Sequence, residues 1–183
     1  MAALIDPIKL AKELRANLDD LGDFLVKELA YELAQQGHKA TGSLISSIEY
    51  NVTAFADTLA LEIQYLEYGR YVETGVPASR IPFGKKTGAK TSKYIQALIE
   101  WVKVKRIASG LQAVGLAFGI ARKHEQEEMP TRGSFAFSRN GRRTGFQTFV
   151  INQNAGRIDD IIQDGLEAAV SAQLDDLIAR ISA

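Results

Sequence analysis

A run of leucines near the beginning of the chain constrains its fold more than any other feature. Leucine recurs at steps of three or four residues, at positions 10, 14, 18, 21, 25, 29 and 33. This spacing places the leucines along one face of an α-helix, and such a face has to be buried against another element. Asp6-Pro7 is typical of a helix N-terminus and Gly37 of a helix end. The sequence therefore predicts a long amphipathic helix over about residues 7–36.

The remaining pattern predicts further helices and three strands. Alternating apolar residues favour strands at 44–52 and 59–65, joined by a turn at Asp57 into an antiparallel hairpin. Ser92 is a candidate cap of a helix carrying Trp101, and a second helix is expected at about 110–127. The latter should turn one face inward, made of Leu111, Val114, Phe118 and Ala121. A short strand is expected at 146–151 and a long closing helix from about residue 156.

These elements predict an α+β fold: a long N-terminal helix, a small antiparallel sheet, a helical insert, a further strand and a long C-terminal helix packed on the sheet. The 183 residues suit a single domain, and a hydrophobic fraction of 46% excludes global disorder. No cysteine is present, which excludes disulfides and thiolate chemistry. The longest apolar stretch is too short to span a bilayer, so no membrane contact is expected.

Charge is balanced over the whole chain but not along it. The 22 basic and 22 acidic residues give a formal net charge of zero, which argues against a dedicated nucleic-acid binder. Two exposed basic loops are nevertheless predicted, at about 76–91 and 131–145. Their candidate contact residues are Arg80, Lys85, Lys86 and Lys90 in the first loop, and Arg132, Arg139, Arg142 and Arg143 in the second. Phenylalanines interleave the second set, so these loops can meet either an acidic protein partner or nucleic-acid phosphates.

The motifs of catalysis and cofactor binding are not found in complete form. The run from Gly84 to Thr91 nearly matches a phosphate-binding loop, but Ala89 replaces the second glycine and no buried strand precedes it. His38 and His124 are the only histidines, both predicted at the surface, and they do not supply a zinc site. The sequence therefore predicts a protein that is not an enzyme and that holds no cofactor and no metal.

Three segments carry a resemblance to a known family. Thr41-Gly42-Ser43-Leu44 is followed by Ser47-Ile48, the segment 68–75 reads YGRYVETG, and Pro130-Thr131-Arg132 precedes the last elements. In this order they resemble the head–tail joining and tail-completion proteins of long-tailed bacteriophages. The chain departs from that pattern at Arg70, where a small residue is usual, and in the long insert over 76–129.

The resemblance implies a structural protein of the virion neck, assembled in the host cytoplasm, with residues 1–183 as one head–tail joining domain. Copies would form a ring between the portal or adaptor and the tail-tube or tail-terminator proteins, around a channel that holds DNA. Tyr68 and Tyr71 are candidate contact residues, because tyrosine brings a large area and a polar tip to an interface. A sequence-independent nucleic-acid-binding module that uses the basic loops is the alternative.

Overall fold

The computed structural model describes residues 6–55, 58–83 and 92–182. It is an α+β structure, as predicted, with a long helix near each end and one two-stranded antiparallel sheet. In chain order the elements are α1 (Pro7–Gln35), α2 (Ser43–Ser46), β1 (Glu49–Phe55), β2 (Thr58–Gln64), α3 (Gly69–Thr74), a 3-10 turn (Ala78–Arg80), α4 (Lys93–Val104), α5 (Gly110–Glu127), a second 3-10 segment (Arg132–Phe137), α6 (Phe146–Gln153) and α7 (Ala155–Ile181).

The chain divides into two compact units. Unit 1 contains residues 1–30, 47–65 and 149–183, and unit 2 contains residues 31–46 and 66–148. Unit 1 therefore holds most of α1, the hairpin and α7. Unit 2 holds the last turn of α1 together with the whole of α2, α3, α4 and α5.

In unit 1 the two long helices run antiparallel. The amide of Asp6 donates to the side chain of Gln173 at 2.9 Å, and the ammonium of Lys9 lies 2.6 Å from the carboxylate of Asp176. Further along α1, the Asn17 amide donates to the carbonyl of Ile161 at 2.6 Å. These polar contacts fix the register of α7 along α1, and the leucine face of α1 is buried from Leu21 onward.

The β-hairpin packs on α1 through a glycine. The strands pair from Glu49 opposite Gln64 to Phe55 opposite Thr58. A Cβ atom at Gly22 of α1 would come within 2.5 Å of the ring of Tyr50 on β1, so only glycine admits the ring at this position. This close approach explains why a residue with poor helix propensity occupies the middle of α1.

In unit 2, α4 and α5 form a helical hairpin. The Ser92 side chain accepts a hydrogen bond from the amide of Ile95 at 3.2 Å and caps α4, as predicted. Ile95 packs against α5, and its neighbours in the core are Ala117, Ala121, Phe83, Tyr94, Leu98 and Ile99.

The inward face predicted for α5 was largely wrong. The buried face is made of Ala113, Ala117 and Ala121, whereas Leu111 is 90% exposed and Phe118 is 44% exposed. Small residues at steps of four allow α4 and α5 to approach closely, so the larger side chains turn outward.

Two predicted strand segments are helical. The strand expected at 146–151 was wrong, because this short apolar run forms α6 with Phe146 and Val150 buried one turn apart. Leu44 belongs to the short helix α2, and the first strand begins only at Glu49. The turn predicted at Asp57 lies outside the described residues. None of the helices that the structure describes is long and apolar enough to cross a membrane.

Candidate interaction site

The structure separates the predicted contact residues into exposed and internally bonded groups. Lys85, Lys86 and Lys90 lie outside the described residues, as does the loop that resembles a phosphate-binding motif. The exposed group contains Arg80, Arg132 and Arg139, together with Tyr68 and Tyr71, whereas Arg142 and Arg143 are half-buried.

Arg142 is held by a buried carboxylate. Glu32, 4% exposed, lies in the last turns of α1. Its carboxylate oxygens accept hydrogen bonds from the Arg142 guanidinium at 3.1 and 3.4 Å. They also accept from the side-chain amide of Asn140 at 2.9 and 3.0 Å and from the side-chain amide of Gln36 at 2.9 Å. A carboxylate removed from water needs partners of this kind. Glu32 therefore binds the segment around residue 140 to the end of α1.

Arg143 satisfies the C-terminal end of α1. Its guanidinium donates to the carbonyl of Gln36 at 2.6 Å, and the amide of Arg139 donates to the carbonyl of Gln35 at 2.9 Å. These carbonyls have no partner within the helix, and a cation beside them also complements the helix dipole. Arg143 thus acts as a helix cap rather than as a free surface charge.

His38 also forms a hydrogen bond to this segment. It was predicted at the surface but is half-buried, and its Nε2 atom donates to the carbonyl of Arg143 at 3.1 Å. Burial, reinforced by the positive charge of Arg143, lowers the pKa of His38 from 6.5 to about 4. The ring is therefore neutral at pH 7. Burial also lowers the pKa of Arg143.

The exposed part of the second basic loop is the segment from Arg132 to Arg139. Phe137 is 80% exposed and Phe135 is 39% exposed, and they lie between the exposed Arg132 and Arg139. Aromatic rings and guanidinium groups that are exposed on one short segment can bind either an acidic protein surface or single-stranded nucleic acid. We call Arg132, Phe135, Phe137 and Arg139 the arginine–phenylalanine face.

The tyrosine-rich segment forms α3. The Arg70 guanidinium lies 5.0 Å from the centre of the Tyr71 ring, which is a cation–π contact. The hydroxyl of Tyr68 is hydrogen-bonded to the backbone of Leu44, and partial burial raises the pKa of Tyr68. Both rings remain nearly half exposed. The hydroxyl of Tyr68 and one face of the Tyr71 ring are thus in contact with the protein itself, while nearly half of each side chain is exposed.

Glu73 of the same segment caps α6. Its carboxylate accepts hydrogen bonds from the amides of Gln147 and Thr148 at 2.7 and 3.1 Å, and from the Thr148 hydroxyl. The amides at a helix N-terminus have no partner within the helix, and a carboxylate is well placed to accept from them. This cap, contributed by a residue far away along the chain, favours a helix where the sequence pattern alone indicates a strand.

The second histidine is also internally bonded. Nδ1 of His124 lies 2.6 Å from the hydroxyl of Tyr94, in the packing between α5 and α4. Burial lowers the pKa of His124 and raises the pKa of Tyr94 to about 12. The pair joins the two helices. Across the described ranges, no group of three or more His, Cys, Asp or Glu side chains is placed to hold a metal ion.

Glu32 is the residue that sequence reasoning missed. It follows Leu29 by three residues, so it lies on the leucine face of α1, and Gln36 follows one turn later. A polar residue on the buried face of a helix requires a partner, and this was the available signal. The identity of that partner could not be read from the sequence, because Asn140 and Arg142 are about a hundred positions away.

The two units carry opposite formal charges, which the zero net charge of the chain conceals. Unit 1 contains 15 acidic and 6 basic residues, so its formal charge is −9. Unit 2 contains 7 acidic and 16 basic residues, so its formal charge is +9. The basic surface of the molecule therefore belongs to the unit that also carries the arginine–phenylalanine face.

Comparison with known proteins gave no relative: the chain matches no protein-family model, no curated protein and no solved structure.

Replacing Glu32 by alanine should destabilise the protein strongly. The change leaves the amides of Gln36 and Asn140 and the Arg142 guanidinium without their carboxylate, and we expect a loss of roughly 3 kcal/mol in unfolding free energy. Urea denaturation measures this loss. The matched control is Glu100→Ala, which removes an exposed ion pair with Lys103 and should cost less than about 1 kcal/mol. Equal losses for the two variants would contradict the role assigned to Glu32.

Acid should weaken the fold through His38. The unfolded chain takes up a proton near pH 6.5, whereas the folded chain does so only near pH 4, so the unfolded state binds more protons between these values. Stability is therefore full above pH 6.5 and falls as the pH decreases, by roughly 3 kcal/mol at pH 4 from this group.

His38→Gln keeps an N–H group that can donate to the Arg143 carbonyl but does not titrate. Its unfolding free energy, measured by urea denaturation from pH 7 to pH 4, should decline less than that of the wild type. His124→Gln serves as the control, because it removes the other histidine and leaves the His38 contribution in place. An unchanged pH slope in His38→Gln would contradict the assignment.

Proposed function

We propose that the protein is a structural component of the neck of a tailed bacteriophage, where copies form a ring that joins the head and its portal–adaptor complex to the tail. The proposal begins from the resemblance to the head–tail joining and tail-completion family, whose motifs are spread along the chain. Its support from the structure is the way in which these motifs meet in unit 2.

The convergence of the motif segments is the observation that carries the proposal. Tyr68, at the start of the YGRYVETG segment, bonds to the backbone of Leu44 in the Thr41–Leu44 motif. Directly after that segment, the amide of Val76 donates to the carbonyl of Met129 at 2.7 Å, and the amide of Met129 donates to the carbonyl of Val76 at 2.9 Å. Pro130 follows directly. Thr41–Leu44, the YGRYVETG segment and the segment from Pro130 are therefore joined within unit 2, the last two through the residues that flank them. Ser47-Ile48, which continues the first motif, belongs to unit 1.

Glycine is required at this junction. Gly75 has a φ of +72°, and a Cβ atom there would come within 2.7 Å of the carbonyl oxygen of Met129. The last residue of the YGRYVETG segment thus permits the close pairing with the segment before Pro130. Motif segments that are joined in this way act as one folding unit, which would present Tyr68, Tyr71 and the arginine–phenylalanine face to partners.

Sequence-independent nucleic-acid binding is a second candidate function, favoured by the +9 formal charge of unit 2 and by the exposed Arg132 and Arg139. It is weakened by the internal bonds of Arg142 and Arg143, whose guanidinium groups are used for Glu32 and for the end of α1. Partner contact within a virion uses the same surface without requiring those two charges.

Deleting the gene from the phage that encodes it tests the proposal. Negative-stain electron microscopy of the lysate should show separate full heads and finished tails, because the two assemblies lack the ring that joins them. Expression of the wild-type gene from a plasmid should restore complete particles. Expression of the Glu32→Ala variant should not restore them, since the variant destabilises the unit that holds the motifs.

The other outcomes of this deletion are equally informative. Heads with missing or abnormal tails would place the protein in tail termination or tube assembly. Normal infectious particles would contradict a neck role. Fluorescence anisotropy with duplex DNA would then test the second candidate, for which affinity should decrease steeply with salt.

A further inference from the structure

Helix α7 carries an apolar stripe that no other part of the described ranges covers. Six large aliphatic side chains, spaced by three or four residues, are between 37% and 77% exposed: Ile162, Leu166, Val170, Leu174, Ile178 and Ile181. They extend over roughly 30 Å of helix. They expose roughly 600 Å² of apolar surface, which is at the upper limit for a chain that remains alone and near the ~800 Å² that each partner contributes to a specific interface. We call this set the stripe.

The stripe is bordered by acidic residues. Exposed carboxylates on α7 are Asp159, Asp160, Asp164, Glu167 and Asp175, whereas Arg157 and Arg180 are the only cations of this helix. Two stripes packed against each other would bring these carboxylates together, and like charges at an interface are repulsive. The surface that fits the stripe is therefore apolar and basic.

Such a surface exists at the end of the α4–α5 hairpin. Over residues 101–111, which we call the tip, four large apolar side chains are 40% to 90% exposed: Trp101, Val104, Ile107 and Leu111. The cations Lys103, Lys105 and Arg106 are exposed among them, and no acidic residue occurs within the tip. An open depression, lined by Lys103, Arg106, Ala108, Ser109 and Gln112, gives the tip a concave part that can receive side chains.

From these two surfaces we infer that the tip of one copy docks on the stripe of a second copy. The stripe belongs to the unit of charge −9 and the tip to the unit of charge +9, so a contact of this kind pairs opposite charges over a wide area. The contact joins two different surfaces. Repeated from copy to copy, it produces a ring when the rotation closes and a filament when it does not.

The inference names the subunit contact of the ring in the proposed function, and it rests on that function for its biological role. Its physical basis is separate, namely the exposed stripe, the apolar and basic tip, and the division of charge between the units. It can therefore fail while the neck assignment stands.

Disulfide trapping tests the contact directly, because the chain has no cysteine. Ile107→Cys places one thiol on the tip, and Leu174→Cys places one on the stripe, both at exposed positions. Under mild oxidation, an equimolar mixture of the two variants should form a linked dimer at least about tenfold faster than either variant alone. A chain carrying both cysteines should give a ladder of oligomers on non-reducing gels. Ile107→Cys mixed with Asn51→Cys, an exposed position on β1, is the matched control and should link slowly.

Charge reversal gives an independent measurement of the same contact. The pair Lys105→Glu and Arg106→Glu on the tip should weaken association by about tenfold or more, measured by sedimentation velocity at low salt. The pair Glu167→Lys and Asp175→Lys, beside the stripe, should have the same effect. Combining all four changes in one chain should restore association. The control pair, Glu49→Lys with Glu62→Lys on the hairpin, changes the charge of unit 1 equally and should leave association unchanged.

Three results with the purified protein would overturn the inference. The first is rapid dimerisation of Leu174→Cys alone, which would show that stripes pair with each other. The second is a wild-type chain that remains monomeric at high concentration and low salt. The third is association that survives both charge reversals. If the charge-reversed variants still restored complete particles in the deletion lysate, the contact would be wrong while the neck function remained supported.

Discussion

The carboxylate of Glu32 is the charge around which unit 2 is arranged. It occupies a position on the buried face of α1 where the leucine pattern would otherwise continue, and it is almost fully removed from water. A charge in that place must be matched by donors, and the chain supplies them from Gln36 on the same helix and from Asn140 and Arg142 more than a hundred residues later. Once that segment is fixed, Arg143 reaches the carbonyl of Gln36, and the ring of His38 closes over it.

This arrangement decides which charges remain available to partners. Two of the four arginines in the loop at 131–145 bond to the last turns of α1, so the two that are classed as exposed are Arg132 and Arg139. The capping of α6 by Glu73 and the pairing of Val76 with Met129 bind the motif segments to the same unit. Unit 1 carries a surface of opposite charge to unit 2, in which acidic side chains border the exposed aliphatic side chains of α7. A molecule with one acidic and one basic surface is suited to head-to-tail association, in which every copy uses both.

The sequence predicted the fold where one periodic pattern extended over many residues. The starts of the long helices α1 and α7 and of the capped helix α4 were predicted within one or two residues, because their stripes and caps are local features. The segment at 146–151 was misassigned because six residues cannot separate period 2 from period 3.6, and its helix depends on the distant carboxylate of Glu73. Of the candidate site, Arg80, Arg132, Arg139, Tyr68 and Tyr71 are exposed, and their contact with a partner stays a prediction. The internal role of Arg142 could not be foreseen, since it depends on which loop reaches Glu32 in three dimensions.

A protein built into the neck of the virion, as we propose, has a defined position in the finished particle, and that position can be measured. A short epitope tag at the C-terminus, detected with gold-labelled antibody in electron micrographs of gradient-purified phage, would locate it. We expect gold at the junction of head and tail, on intact particles and on particles whose two parts have been separated. Purified infectious particles that contain no tagged protein, with all of it left in the soluble fraction of the lysate, would contradict a place in the neck.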